Sequence, residues 1–212
     1  MNQNLYEIIE SKKRKIFVQL KKTSLSLILI FACCSGALAA DTYAIDPVHS
    51  VVGFSVQHMM ISHVNGTFQD FSGTIVYDEK DPSKCLVNVN IKATSIDTRN
   101  QDRDADLRTN KFFDVAKYPE IAFASTQIEK TGDGYIAHGP LTIRGVSKEV
   151  ALPFKISGTA KDPWGKTRLG AQAGLTINRQ DFGVSWNKTL DGGGVLIGDE
   201  VKIDLAVEAV KQ

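Results

Sequence analysis

The chain has 212 residues, 25 Lys and Arg against 24 Asp and Glu, a formal net charge of +1 and 42% hydrophobic residues. So even a balance excludes the basic face that displaces counterions from phosphates, and no nucleic-acid partner is expected. The excess of positive charge lies in the first forty residues, which leaves the remainder mildly acidic.

Those first residues read as a targeting segment and not as part of a fold. Lys12, Lys13, Arg14, Lys15, Lys21 and Lys22 form a basic region, followed by the apolar run "LSLILIFACC" and the small-residue stretch "SGALAA". The pattern is that of a secretory signal peptide over residues 1–39, with Ala37-Leu38-Ala39 as the cleavage motif. The apolar run is shorter than the roughly 20 residues that span a bilayer as a helix. Acylation at Cys33 is the alternative, opposed by bulky Phe31 where a small residue is needed. Residues 40–212 then form one domain of about 170 residues, enough for a real core. Cys85 is the one cysteine left in it, so no intrachain disulfide is available. It opens the alternating run Cys85, Val87, Val89, Ile91, which predicts a buried small hydrophobe, not a nucleophile.

From here alternation of period two dominates, the mark of strands with one dry face. Val52, Phe54, Val56 and His58 make the first row. Phe71, Gly73, Ile75 and Tyr77 make the next, with a slip of phase after Phe68 that predicts a bulge or sharp bend. Phe123 joins the dry set further on. The later rows are Tyr135, Ala137, Gly139, Leu141, Ile143; Val150, Leu152, Phe154, Ile156; Leu169, Ala171, Ala173, Leu175, Ile177; and Val201, Ile203, Leu205, Val207. Turn-forming stretches such as "KTGDG", "IRGVSK", "KDPWGK" and "LDGGG" separate them. Connections this short favour antiparallel neighbours. Many such strands, each with one dry face, are best accommodated by closure on themselves, so the expected fold is all-β with one short helix: an antiparallel up-and-down β-barrel.

The helix is expected in "NQDRDADLRTNKFFD", Asn100 to Asp114. Asp102, Asp104 and Asp106 at every second place resemble the start of a calcium-binding EF-hand loop. Leu107 stands where that loop needs Gly and Phe113 where it needs a bidentate Glu, so no metal site is expected. As a helix the stretch makes ordinary sense: Asn100 caps it, acids occupy its first turn, and Asp104 reaches Arg108 one turn on. Leu107 and the Phe112-Phe113 pair would rest on the sheet.

No motif of catalysis accompanies these elements. His49, His58, His63 and His138 are the four histidines, and neither H-E-x-x-H, G-x-S-x-G nor a phosphate-binding loop is present. "GGG" at Gly192–Gly194 lacks the strand-to-helix context of a nucleotide loop. In "NRQDFGVSW", Arg179 and Asp181 can pair while Phe182 and Trp186 point inward, either as a structural corner or toward a ligand. His58 is the exception among the histidines, because it shares the row of Phe54 and Val56. Small residues on the dry rows, Gly73, Gly139, Gly158, Ala171 and Ala173, imply a cavity, since an eight-stranded barrel is just wide enough to be filled by side chains or to hold one ligand. The competing reading is that the glycines mark bulges and tight coiling. An apolar cavity suits a lipid-like guest.

The segments "DPVHSVVGFSVQHM", "FSGTIVYD", "SIDTRNQDRDADLRTNKFFDVAKYPEIAF", "GPLTIRGVSKEV", "INRQDFGVSW" and "GDEVKIDLAVEAV" resemble the YceI-like family of secreted bacterial polyisoprenoid-binding proteins. The likeness covers essentially all of residues 40–212. It implies a lipocalin-like barrel whose apolar tunnel holds an isoprenoid chain, a periplasmic or secreted location, and a role in isoprenoid transport or storage or in stress response. It implies no catalytic residue and no cofactor, and makes the acidic helix a structural part beside the barrel. The residues expected to line the tunnel are Phe54, Val56, His58, Phe71, Gly73, Ile75, Phe123, Leu141, Ile143, Phe154, Ala171, Leu175, Ile177, Phe182 and Trp186. The first expectation is a carrier of long isoprenoids, and a transient membrane contact or a homodimer is compatible with it. The second is an enzyme acting on such a lipid, with His58 as its acid or base.

Overall fold

The computed structural model describes residues 40–212; the expected signal segment, its cleavage motif and Cys33 lie outside them. Among the described residues the strands are β1 (Asp41–Ile45), β2 (Val51–His58), β3 (Ser62–Phe68), β4 (Phe71–Tyr77), β5 (Leu86–Lys92), β6 (Ile96–Asp97), β7 (Glu120–Ala124), β8 (Gln127–Lys130), β9 (Tyr135–Ile143), β10 (Val146–Lys161), β11 (Thr167–Asn178) and β12 (Ile197–Lys211), with one α-helix, α1 (Gln101–Arg108), between β6 and β7.

The register reduces these twelve strands to eight staves. β1 and β2 lie end to end along β12, through Tyr43↔Lys211 and Val52↔Leu205. On their other side β1 pairs with β4 and β2 with β3, so β3 and β4 form the second stave. β5 and β6 form the third, pairing with β4 and β3. β7 and β8 form the fourth, and both pair with β9. β9, β10, β11 and β12 complete the meander, and β12 returns to the first stave. Every neighbouring pair is antiparallel, so the chain closes as an eight-stranded up-and-down barrel with no long open edge. Residues 40–212 hold all of its strands and one hydrophobic core cluster, a self-contained unit.

The breaks between paired strands have local causes. Pro47–His49 form a 3₁₀ turn between β1 and β2, started by Asp46, whose carboxylate accepts the Val48 N–H at 3.0 Å. Across the break the Ser50 hydroxyl donates to the Glu208 carbonyl and accepts the Glu208 N–H, so the ladder to β12 is bridged by a side chain. The phase slip after Phe68 is a sharp bend at Gln69 and Asp70; it lets Phe68 and Phe71 both turn inward. Arg144 and Gly145, with φ of 50° and 72°, make the two-residue β9–β10 hairpin. Positive φ at both central positions is what a type I′ turn requires.

α1 is capped as expected, the Asn100 side chain accepting the Arg103 N–H at 2.9 Å. The expected Asp104–Arg108 pair is not formed. Asp104 is buried and its Oδ1 accepts from both the N–H and the hydroxyl of Thr98, at 2.9 and 2.6 Å. Arg108 instead donates to the carbonyls of Thr94 and Ile96. The helix is therefore tied down to β6 and its flanks, and it is less solvated than its composition suggests. Its three alternating acids lie in helical register, where they cannot wrap one ion as a calcium loop does.

Candidate ligand cavity and its mouth

The dry rows enclose a cavity of about 590 Å³ inside the barrel. Its lining along β11 alone extends from Ala171 to Ile177, about 20 Å at the usual rise of a strand. Of the residues expected in the lining, all but Gly73 are there. Phe54, Val56, Phe71, Ile75, Phe123, Leu141, Ile143, Phe154, Leu175 and Ile177 supply apolar wall, while Ala171 and Ala173 are short enough to leave the bore open.

The glycines have a different explanation. A Cβ at Gly73 would stand 2.4 Å from the Asn88 carbonyl oxygen and 2.8 Å from Ile45 Cδ1. At Gly139 it would meet the Ala124 oxygen at 2.2 Å. Both glycines let neighbouring staves approach closely. Gly158, exposed and with φ of 135°, sits at the register shift that follows Ile156 in β10. The inference from small residue to open lumen thus fails at these glycines, which mark tight coiling and a bulge.

One end of the cavity is sealed. There Tyr43, Leu169 and Ala209 are almost wholly buried, and the rings of Tyr77 and Tyr135 meet edge to face at 6.4 Å. Burial, and then the neighbouring Tyr135, push the Tyr77 phenol above its usual range, so its ring stays neutral at any ordinary pH. Just outside this end Asp46, His49 and Glu208 bring ligand atoms within 4.8 Å of one another. Arg168 already serves as their cation, donating to Asp46 and Glu208 as well as to Asp162.

The other end carries most of the polar lining, Gln57 and His58 of β2, Thr98, and Asp102, Arg103 and Asp106 of α1, with Gln172 of β11 the polar residue placed deeper. Asp102 and Arg103 are exposed, which places the mouth beside the helix. Below them an aromatic set narrows the bore. Phe54 lies 5.8 Å from Phe68, Phe68 meets Phe113 edge to face at 5.9 Å, and Phe112 lies 5.4 Å from Trp186. The helix thus does more than rest on the sheet: through its Leu107, and through Phe112 and Phe113 in the turns that follow it, this segment builds one side of the entrance. The paired phenylalanines signalled an apolar contact in the sequence, but nothing there marked Gln57, Asp102 or Arg103 as lining.

Arg179 holds the opposite side of the entrance. It is 5% exposed and donates to the carbonyls of Val184, Trp186 and Gly198, while its ion pair is with Asp199 at 3.1 Å. The expected pairing with Asp181 is not the one made. A single buried guanidinium thereby fixes the segment that carries Phe182 and Trp186, both of which face the cavity. Burial pulls the Arg179 pKa down, with Asp199 opposing. His58 lines the cavity but forms no side-chain hydrogen bond with another lining residue among the described residues. Cys85 is 4% exposed, and burial raises its thiol pKa, which makes it an inert packing residue.

The YceI-like domain family model matches residues 43–209, from within β1 to within β12. The chain belongs to the YceI-like family. Among its bacterial relatives, the UPF0312 protein of Pectobacterium atrosepticum is 42% identical over 197 residues, which cover 91% of this chain and 99% of the relative. The YceI protein of Salmonella newport is 42% identical over 180 residues, 84% of this chain and 91% of that one. The crystal structure of the Campylobacter jejuni YceI protein superposes with a TM-score of 0.62 at 34% identity, covering 74% of this chain and 90% of that one. A polyisoprenoid-binding domain from Saccharophagus degradans shares the YceI-like fold at 15% identity, with a TM-score of 0.59 over 80% of this chain and 98% of that one.

Proposed function

We propose that the protein binds a long isoprenoid lipid of polyprenyl or quinone type and carries or sequesters it in the bacterial envelope. The observation that carries this reading is the cavity: long, apolar along its walls, sealed at one end, with polar groups gathered at the other. That gradient suits a guest with an extended hydrocarbon chain and one polar end, and it suits sugars or nucleotides poorly. Membership of the YceI-like family and the polyisoprenoid-binding neighbour of the same fold support it. An N-terminal segment patterned as a cleaved signal supports the envelope location.

An enzyme acting on the same lipid would need His58 as its acid or base. General acid–base chemistry requires the catalytic group within hydrogen-bond reach of the proton it moves on the substrate, and His58, which lines the cavity near its mouth, is the residue that the enzyme reading places there. Organic extraction of the purified protein followed by mass spectrometry tests the proposal directly. An unmodified isoprenoid recovered near one per protein is the expected result. Recovery of no lipid, together with no uptake of an added polyprenol, would overturn it; a product whose formation stops in His58→Ala would favour the enzyme.

A further inference from the structure

The β2–β3 hairpin turns through Met59, Met60 and Ile61, which are 40%, 52% and 83% exposed. Three consecutive apolar side chains at the tip of a hairpin are unusual, because a water-facing turn is ordinarily polar. The backbone holds them there. Met59 and Met60 have φ of 52° and 64°, a conformation that non-glycine residues seldom adopt. The Met59 N–H donates to the Leu196 carbonyl at 2.8 Å, and the Met60 side chain lies against Gly194 in the glycine-rich turn opposite. The tip is therefore a fixed, strained apolar point.

Its position gives it meaning. His58, the residue before the tip, lines the cavity, and so does Leu196, to which the tip is bonded. On the side toward α1, β3 pairs with β6 only at Thr67 and Phe68, so the edge from Ser62 to Gly66 has no strand partner there among the described residues. The apolar point, the free edge and the polar lip of the cavity meet at one end of the barrel.

We infer that the Met59–Ile61 tip inserts into the surface of a lipid bilayer and holds the cavity mouth against it, so that an isoprenoid passes between membrane and barrel without crossing water. The second half of this statement rests on the lipid-binding reading above. A bilayer fits the patch better than a second copy of the chain does. Stable protein interfaces bury about 800 Å² on each partner, far beyond what three side chains supply, whereas a few apolar residues suffice for reversible attachment to a membrane interface. The charges nearby are mixed: Lys111 pairs with Asp106 beside the mouth, and Lys188 and Asp191 lie in the segment that folds back to Leu196 against the tip, so attachment depends on apolar insertion and not on anionic lipid.

The test uses residues 40–212 with phosphatidylcholine vesicles containing solanesol, a long polyprenol, and separately geranylgeraniol, a short one, added from water. The variants are Met60→Asp/Ile61→Asp, Ile61→Asp alone, Met60→Leu/Ile61→Leu, and Trp164→Asp. Aspartate tolerates the left-handed backbone of Met60 better than methionine does, so the first variant adds no strain. Trp164, 81% exposed, sits in the β10–β11 turn at the sealed end and serves as the distant control. The acidic variants should take up geranylgeraniol like wild type yet sediment less with vesicles and extract solanesol at least about tenfold more slowly, because binding at an interface scales with the apolar area inserted. The leucine pair and Trp164→Asp should behave as wild type. Equal extraction by wild type and both acidic variants would overturn the inference, as would an acidic variant whose lost extraction coincides with loss of a dimer on size-exclusion chromatography. Wild type that sediments with vesicles but binds neither isoprenoid would retain the docking and refute the carrier. Wild type that binds geranylgeraniol but neither sediments nor extracts would do the reverse.

Discussion

Ala171 and Gly73 are both small residues in alternating dry rows, yet their surroundings are opposite. Ala171 faces the bore, whereas a Cβ at Gly73 would collide with the Asn88 carbonyl and with Ile45. Ala171→Phe should therefore block the cavity: the delipidated variant melts near delipidated wild type but no longer takes up a long isoprenoid. The delipidated state is the fair reference, because bound ligand stabilises by mass action. Gly73→Ala should do the opposite, costing about 1 to 3 kcal/mol through overpacking while uptake by the molecules that remain folded is retained. Denaturant midpoints and uptake measured on both variants check the pair; an Ala171→Phe protein that binds as wild type would sink the lumen assignment. Alternation places residues on a face, so the wall from Phe54 to Ile177 could be read from the sequence. Whether a small residue on that face leaves room or admits a neighbouring backbone depends on how closely the staves approach, which no single row reveals.

Among the elements, α1 shows the same boundary between what pattern reveals and what contact decides. Its cap follows from local chemistry, whereas its length does not: the helix ends at Arg108, before the Phe112-Phe113 pair expected at its apolar end. Nor does its anchor, because Asp104 is held by Thr98, six residues upstream on a neighbouring segment, rather than by Arg108. Asp104→Ala leaves two buried Thr98 donors unsatisfied, a cost of about 1 to 3 kcal/mol; Asn100→Ala removes the cap and costs about 1 kcal/mol. Calcium should shift the melting temperature of neither wild type nor Asp104→Ala, and a saturable shift in wild type that Asp104→Ala abolishes would restore the metal reading. At the opposite end, the turn between β1 and β2 is joined to β11 and β12 by Arg168 and its three carboxylates. Hydrogen bonds from His49 and then Arg168 hold Asp46 down at about 2. A depressed carboxylate contributes stability that is complete above its unfolded value and disappears as pH falls through the folded one. Wild type should therefore lose stability between about pH 4 and pH 2, with Asp46→Asn less stable at neutral pH and flatter across that window. Parallel melting curves for the two proteins across the window would contradict the assignment.

For the whole molecule, the turns and the rows imply a closed antiparallel meander, and closure is what the β12–β1 register supplies. What the sequence left open was direction: the barrel is sealed at the Tyr43 and Ala209 end and opens beside α1, because the plug residues and the polar lip come from segments far apart in the chain. A one-ended apolar bore makes a quantitative demand on its guest. Each five-carbon isoprene unit buried contributes roughly 3 to 4 kcal/mol gross, at about 0.8 kcal/mol per CH₂, and ordering and association costs remove much of it. Affinity should rise with chain length until the tail reaches the sealed end and then level off, since further units stay in the mouth. Salt should matter little, because at about 0.5 M NaCl the Debye length falls to a few ångströms while apolar burial is unaffected. Titrating a series of polyprenols of increasing length at low and high salt measures both dependences. Equal affinity for short and long chains, or loss of binding in high salt, would place recognition in the polar lip of Gln57, His58, Asp102 and Arg103 instead of the apolar wall.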